Sequence, residues 1–243
     1  MKKLMALGLL CLAPLLASAE GTTVLWPEFT ALRDAMYNRA PDSRIAGLYQ
    51  EAVLAAENAF SGPVLLTALS KCEYMMGRNC LYGKKNDRAG EFFDKGAAYA
   101  KEAADSSNLS DAWVMYAENV SQNCIVKPTS YAIFYGSKIS GIARQVIKAA
   151  PETGAAYVLL YAQHVYAPPP FHNYKLGIKN FKGLLEDTSV RLQRDDEFNI
   201  VSAIGYGYFQ LKDYPEAASW FTRALEIYPA NEFVLDLLRR AKN

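Results

Sequence analysis

His164 and His172 are the only histidines in the chain, and they are the first residues to test for chemistry. A metal site built on them would need carboxylate or thiolate partners, and the interval between them spans a helix end and three prolines. They read more simply as packing residues. Asp195-Asp196-Glu197, and Asp94 with Glu91, could exchange protons, but acids near helix starts also satisfy the helix dipole. Gly77-Arg-Asn-Cys-Leu-Tyr-Gly83-Lys84-Lys85 looks at first like a phosphate-binding loop. It has one residue too many between its glycines, and Lys85 stands where a metal-binding Ser or Thr belongs. The chain has no Cys-x-x-Cys, His-Glu-x-x-His or Gly-x-Ser-x-Gly. No nucleophile, base and orienting group assemble, so the expectation is a non-enzyme with no catalytic residues, no metal and no cofactor.

The remaining reactive residues are cysteines, and their chemistry depends on compartment. The chain opens with Lys2 and Lys3, then an apolar run from Leu4 to Leu16, then Ala17-Ser18-Ala19. That is the layout of a cleavable secretory signal covering residues 1–19, too short and wrongly flanked to span a membrane. Leu10 before Cys11 does not fit a lipid-attachment site. The expectation is export to a periplasm without a lipid anchor. Cys72, Cys80 and Cys124 would remain where disulfides can form. All three read as buried small hydrophobes or, failing that, as a Cys80–Cys124 bridge between neighbouring helix ends. Cys72–Cys80 is the rival bridge if Gly77 turns the chain back.

With 26 basic and 25 acidic residues, loss of Lys2 and Lys3 leaves a net charge of about −1. A nearly neutral chain has no overall footprint for nucleic acid or an anionic membrane. Hydrophobic residues make up 51% of it, too many for a disordered chain. Residues 153–174 lack charge, but three consecutive prolines together with Gln163, His164 and Asn173 exclude a membrane span.

The elements that must position these residues are helices. Val201, Ile204, Gly205 and Tyr208 share one helical face. After Lys212-Asp213-Tyr214-Pro215, the residues Ala217, Phe221 and Ala224 share another, which ends before Pro229. Gly205 and Ala217 remove bulk where two helices cross, and Tyr208 and Phe221 fill the wedge. These residues resemble the tetratricopeptide repeat, with Val201 in place of its Trp. The clearest repeat is 198–230, with a capping helix over 231–243. Degraded copies precede it. Trp113, Tyr116, Ala117 and Val120 open one, and Tyr157 and Leu160 open another, with Gly177, Phe181 and Leu184 in its second helix. Further pairs are expected from Pro27 and Asp42, and from Ser61, as a cap, and Asn86. Their spacing exceeds 34 residues and predicts longer connecting loops. The resemblance implies one all-α domain over 20–243, a right-handed superhelical solenoid of about five such hairpins and a cap.

In that family the first helices line a concave recognition surface. Beside the packing stripe of the clearest repeat lie Asn199, Ser202, Tyr206 and Phe209. The same offsets select Asp111, Val114, Glu118 and Ser121, and then Ala155, Val158, Ala162 and Val165. This mixed surface suits a protein or peptide partner, and an open polar groove is expected. The alternative is a closed apolar cavity for a small hydrophobic ligand near Tyr161, His164, Phe171 and His172. The segment Ala167-Pro168-Pro169-Pro170-Phe171, ahead of a Phe-containing helix, resembles the T component of TRAP-type solute uptake systems over roughly residues 110–230. That resemblance implies a periplasmic solute-binding protein as partner; an envelope-assembly protein is the other expectation.

Overall fold

The structure is a computed structural model describing residues 23–243. The expected leader at 1–19 lies outside the described residues. Among those described, eleven helices follow in order: α1 (Pro27–Tyr37), α2 (Asp42–Ala59), α3 (Gly62–Tyr82), α4 (Asn86–Ser106), α5 (Ser110–Val126), α6 (Thr129–Ala149), α7 (Gly154–Tyr166), α8 (Tyr174–Glu186), α9 (Arg194–Gln210), α10 (Tyr214–Ile227) and α11 (Glu232–Lys242). Their starts follow local chemistry. Pro27, Pro63 and Pro215 occupy first-turn positions where no N–H is needed. The side chains of Asn173, Asp213 and Asn231 accept backbone N–H bonds at the starts of α8, α10 and α11. Ser61 stands at the α3 cap position, but its side chain makes no capping bond.

Each helix packs on the next, giving five hairpins and the cap α11. The odd-numbered helices also touch in series, α1 on α3, α3 on α5, α5 on α7 and α7 on α9. This second set of contacts makes the stack a helical-repeat solenoid. The long repeat spacing is not absorbed by long loops: α3, α4 and α6 each run 21 residues.

Gly77 does not turn the chain. It lies inside α3, where a Cβ would collide with the Phe93 ring of α4. Gly205 plays the same part in α9, where a Cβ would fall 2.7 Å from Phe221 of α10. In α7–α8 the small residue sits on the other helix. Tyr161 occupies the usual small position, and Gly177 of α8 lies instead against Val165 and His164.

Cys72, Cys80 and Cys124 are free thiols, so neither the Cys80–Cys124 nor the Cys72–Cys80 bridge forms. Cys72 and Cys80 are buried in the core shared by α1–α4 and α9–α11, while Cys124 packs against a separate cluster between α5 and α7. Burial raises all three thiol pKa values, that of Cys72 to about 12.

The main core joins both ends of the described chain. Tyr37 of α1 stacks on Tyr228, centroids 4.7 Å apart, and meets Phe198 edge-on. Asp34 accepts from Tyr228 Oη at 3.0 Å and pairs with Arg194 at 2.8 Å. Arg33 pairs with Asp195 at 3.1 Å, and Asn231 donates to the Tyr37 carbonyl at 3.0 Å. First and last hairpins therefore meet across the inner face, and the long open groove expected from the repeats is closed by side chains.

Candidate functional site

The inner face is built from the odd-numbered helices, and its two ends differ. Toward the helix N-termini lies a cavity of about 40 Å³, lined by residues that include Phe29, Lys71, Tyr74, Asp111, Glu118, Asp195 and Asp196. Asp111 accepts from Lys71 Nζ at 3.0 Å and from the Val24 N–H at 2.7 Å. Asp196 closes a capping box with Gln193 at the start of α9. Burial, reinforced by Asp195, holds its carboxyl well above the ordinary range. Glu118 makes no ion pair among the described residues. Burial, then the Asp195 charge, pushes its pKa up to about 7.

Toward the helix C-termini the lining turns aromatic. Arg78 donates to Tyr74 Oη at 2.9 Å and to Tyr82 Oη at 2.8 Å. Its guanidinium also lies 5.4 Å from the Tyr37 ring centroid. Tyr166 sits 5.4 Å from Tyr206, ring to ring, within reach of the Arg78 charge. Although Tyr166 is 51% exposed, burial raises its phenol pKa. Tyr166 thus reaches solvent at the rim of this aromatic cluster, a shallow basin between the inner helices. Arg78, Tyr82 and Tyr206 are each half-buried around it.

The residues singled out in the sequence divide accordingly. Asp111 and Glu118 meet in the cavity. Tyr206 lines the basin, and Asn199 donates to Tyr37 Oη at 3.4 Å beside it. Ser202 is buried, with its hydroxyl unpartnered. Phe209 is turned away, packed edge-on against Tyr214 and under Arg240.

The expected ligand pocket near the proline loop does not gather its residues. Tyr161 packs edge-on against the buried Phe181, and the His164 backbone and Cβ face Gly177. Burial, then the Arg144 charge, lowers the His164 pKa. His172 stacks on Tyr174, and Phe171 points into solvent.

Lys71, Tyr74 and Arg78 were not singled out in the sequence, although one signal pointed to them. Counted from Gly77 instead of Gly205, the inner-face offsets select Lys71, Tyr74, Arg78 and Leu81. Glu73 hid that register by standing where the repeat carries Trp. It is 2% exposed, accepts from Tyr49 Oη at 2.9 Å and pairs with Lys95 at 2.6 Å.

A tetratricopeptide-repeat family model matches residues 200–231, the α9–α10 hairpin and the turn after it. No curated protein shows a significant match to the chain. Among the described residues no helix is long and apolar enough to cross a membrane.

Proposed function

We propose that this chain is a protein-interaction scaffold of the periplasm that grips a short segment of a partner protein in the tyrosine basin around Arg78. The observation that carries the reading is the basin itself, with Tyr82, Tyr166 and Tyr206 accessible around a desolvated guanidinium on the inner helices of a repeat stack. Tyr and Arg dominate binding hot spots because they bury large area at little rotamer cost and hydrogen-bond at the rim. Arg78 spends one bond on each of Tyr74 and Tyr82, and its fork has five N–H donors in all. A partner segment that offers an apolar or aromatic side chain to the rings and a carboxylate to Arg78 fits this arrangement. A periplasmic solute-binding protein or an envelope-assembly protein is the class of partner proposed.

The test is site-specific photo-crosslinking in the native host. A photoreactive residue is placed at Tyr166, at Tyr206 or at the outward-facing Thr222, and the mature chain is recovered from the periplasmic fraction and sequenced from its N-terminus. Expected are a chain beginning at Glu20 and one discrete protein adduct from positions 166 and 206 that is absent at 222. Adducts at 222 alone, or the same smear from all three positions, overturn the basin reading.

A further inference from the structure

The chain's near-neutral charge conceals a local asymmetry. Between Glu118 and Glu152 no Asp or Glu occurs, while Lys127, Lys138, Arg144 and Lys148 do. This acid-free stretch contains all of α6. Its fully buried residues, Ile139, Ser140, Ala143 and Val146, all lie in the second half, while in the first half Tyr131 and Tyr135 pack half-buried on the cluster between α5 and α7. The first ten residues, 129–138, include none that is fully buried, and α7, at 13 residues, is shorter than α6, at 21. The N-terminal half of α6 therefore rests on the stack along the edge of Tyr131 and Tyr135 and leaves its other face bare.

The bare face carries apolar side chains into solvent. Ile133 is 78% exposed, Phe134 61%, and Ile125, across the Lys127-Pro128 turn, 63%. Tyr131 and Tyr135 stack beneath them, centroids 4.3 Å apart. Lys138 Nζ lies 3.9 Å from the Phe134 ring centroid, a cation held against an aromatic as at a water–apolar boundary. At 3.6 residues per turn, Ile133, Phe134, Lys138, Arg144 and Lys148 fall within about 140° of one helix face. Lys127 is neutralised by Asp94, but Lys138, Arg144 and Lys148 have no ion pair among the described residues.

We infer that this face is a peripheral docking site for an anionic lipid surface. A bilayer accepts exposed apolar groups such as Ile133 and Phe134 without a complementary shape, which a protein partner would have to supply. The three unpaired cations then lie at headgroup depth, where an anionic leaflet attracts them. Ile133 and Phe134 supply the short apolar insertion that interfacial segments use. The site is remote in sequence from the tyrosine basin and independent of it.

The experiment uses the mature chain with large vesicles, either phosphatidylglycerol with phosphatidylethanolamine or phosphatidylcholine alone, read by co-sedimentation. Binding to the anionic vesicles alone is expected, weakening severalfold when salt rises from about 0.05 to about 0.3 M. Phe134→Trp should show a blue-shifted component of its emission on those vesicles. Ile133→Ser with Phe134→Ser should lose at least tenfold in binding with an unchanged melting curve. So should Lys138→Glu with Arg144→Glu, which keeps the apolar tip. Equal binding to neutral vesicles, wild-type binding by both double variants, or no binding at all overturns the inference. Capture of poly-glutamate without vesicle binding would reassign the face to an acidic protein partner.

Discussion

Gly77 and Phe93 in α3–α4 stand in the same relation as Gly205 and Phe221 in α9–α10. Each pair is separated by the same interval, and each ring fills the space that a Cβ would need. The turns match as well. Lys84 (φ 58°) and Lys212 (φ 63°) occupy the left-handed region at equivalent places, and their N–H groups donate back to Leu81 and Phe209. What differs is the cargo. The middle of α9 buries Val201, Ser202 and Ile204 and keeps its acids, Asp195 and the buried Asp196, in the first turn, whereas α3 carries charge along its length, burying Lys71 and Glu73 and half-burying Arg78. A crossing set by one glycine and one ring leaves the remaining positions free to carry buried charge, provided each charge finds a partner.

The largest expected effect tests the shared crossing. Phe93→Ala and Phe221→Ala should each cost about 3–5 kcal/mol, since both rings are fully buried. Denaturant midpoints check this, and a loss below 1 kcal/mol at Phe93 alone would break the equivalence of the two hairpins.

A smaller effect tests the charged lining. Glu118 has a folded pKa of about 7, above the ordinary carboxyl value near 4.3. The folded state holds its proton more tightly, so this group's contribution to stability is largest below about pH 4 and falls as pH rises toward 7. Glu118→Gln should therefore match wild type at pH 4 and gain about 1–2 kcal/mol at pH 8. Parallel stability curves across that range would place Glu118 in ordinary solvent.

The smallest effect concerns the turns. Lys84→Gly and Lys212→Gly should each gain about 0.5–1 kcal/mol, because glycine adopts positive φ without strain while adding some unfolded-state freedom. Gains of opposite sign at the two positions would show that the turns are not equivalent.

Much of the helical layout was legible before the tertiary structure. Prolines at first turns and small–aromatic spacing act within a few residues, so the sequence displays them directly. The α9–α10 hairpin shows this most clearly, being both the best repeat by residue spacing and the segment matched by the family model. The α3–α4 hairpin was harder to see, because Glu73 at the Trp position and Cys80 at the Tyr position masked a register that only the Gly77–Phe93 contact reveals. The candidate site was half legible. Asp111, Glu118, Asn199 and Tyr206 followed from offsets in recognised repeats, whereas Lys71, Tyr74 and Arg78 required the masked one.

Helix order, the repeat class and the crossing at Gly205 were thus determined by the sequence alone, since each rests on periodicity and local sterics. The closure of the inner face was decided only by tertiary structure. Asp34 and Tyr228, or Tyr37 and Asn231, lie 194 residues apart, and no local pattern records that the accumulated rotation of five hairpins brings them together. The same holds for the free cysteines and for the bare face of α6, because partner distance and helix reach are set by how successive hairpins stack.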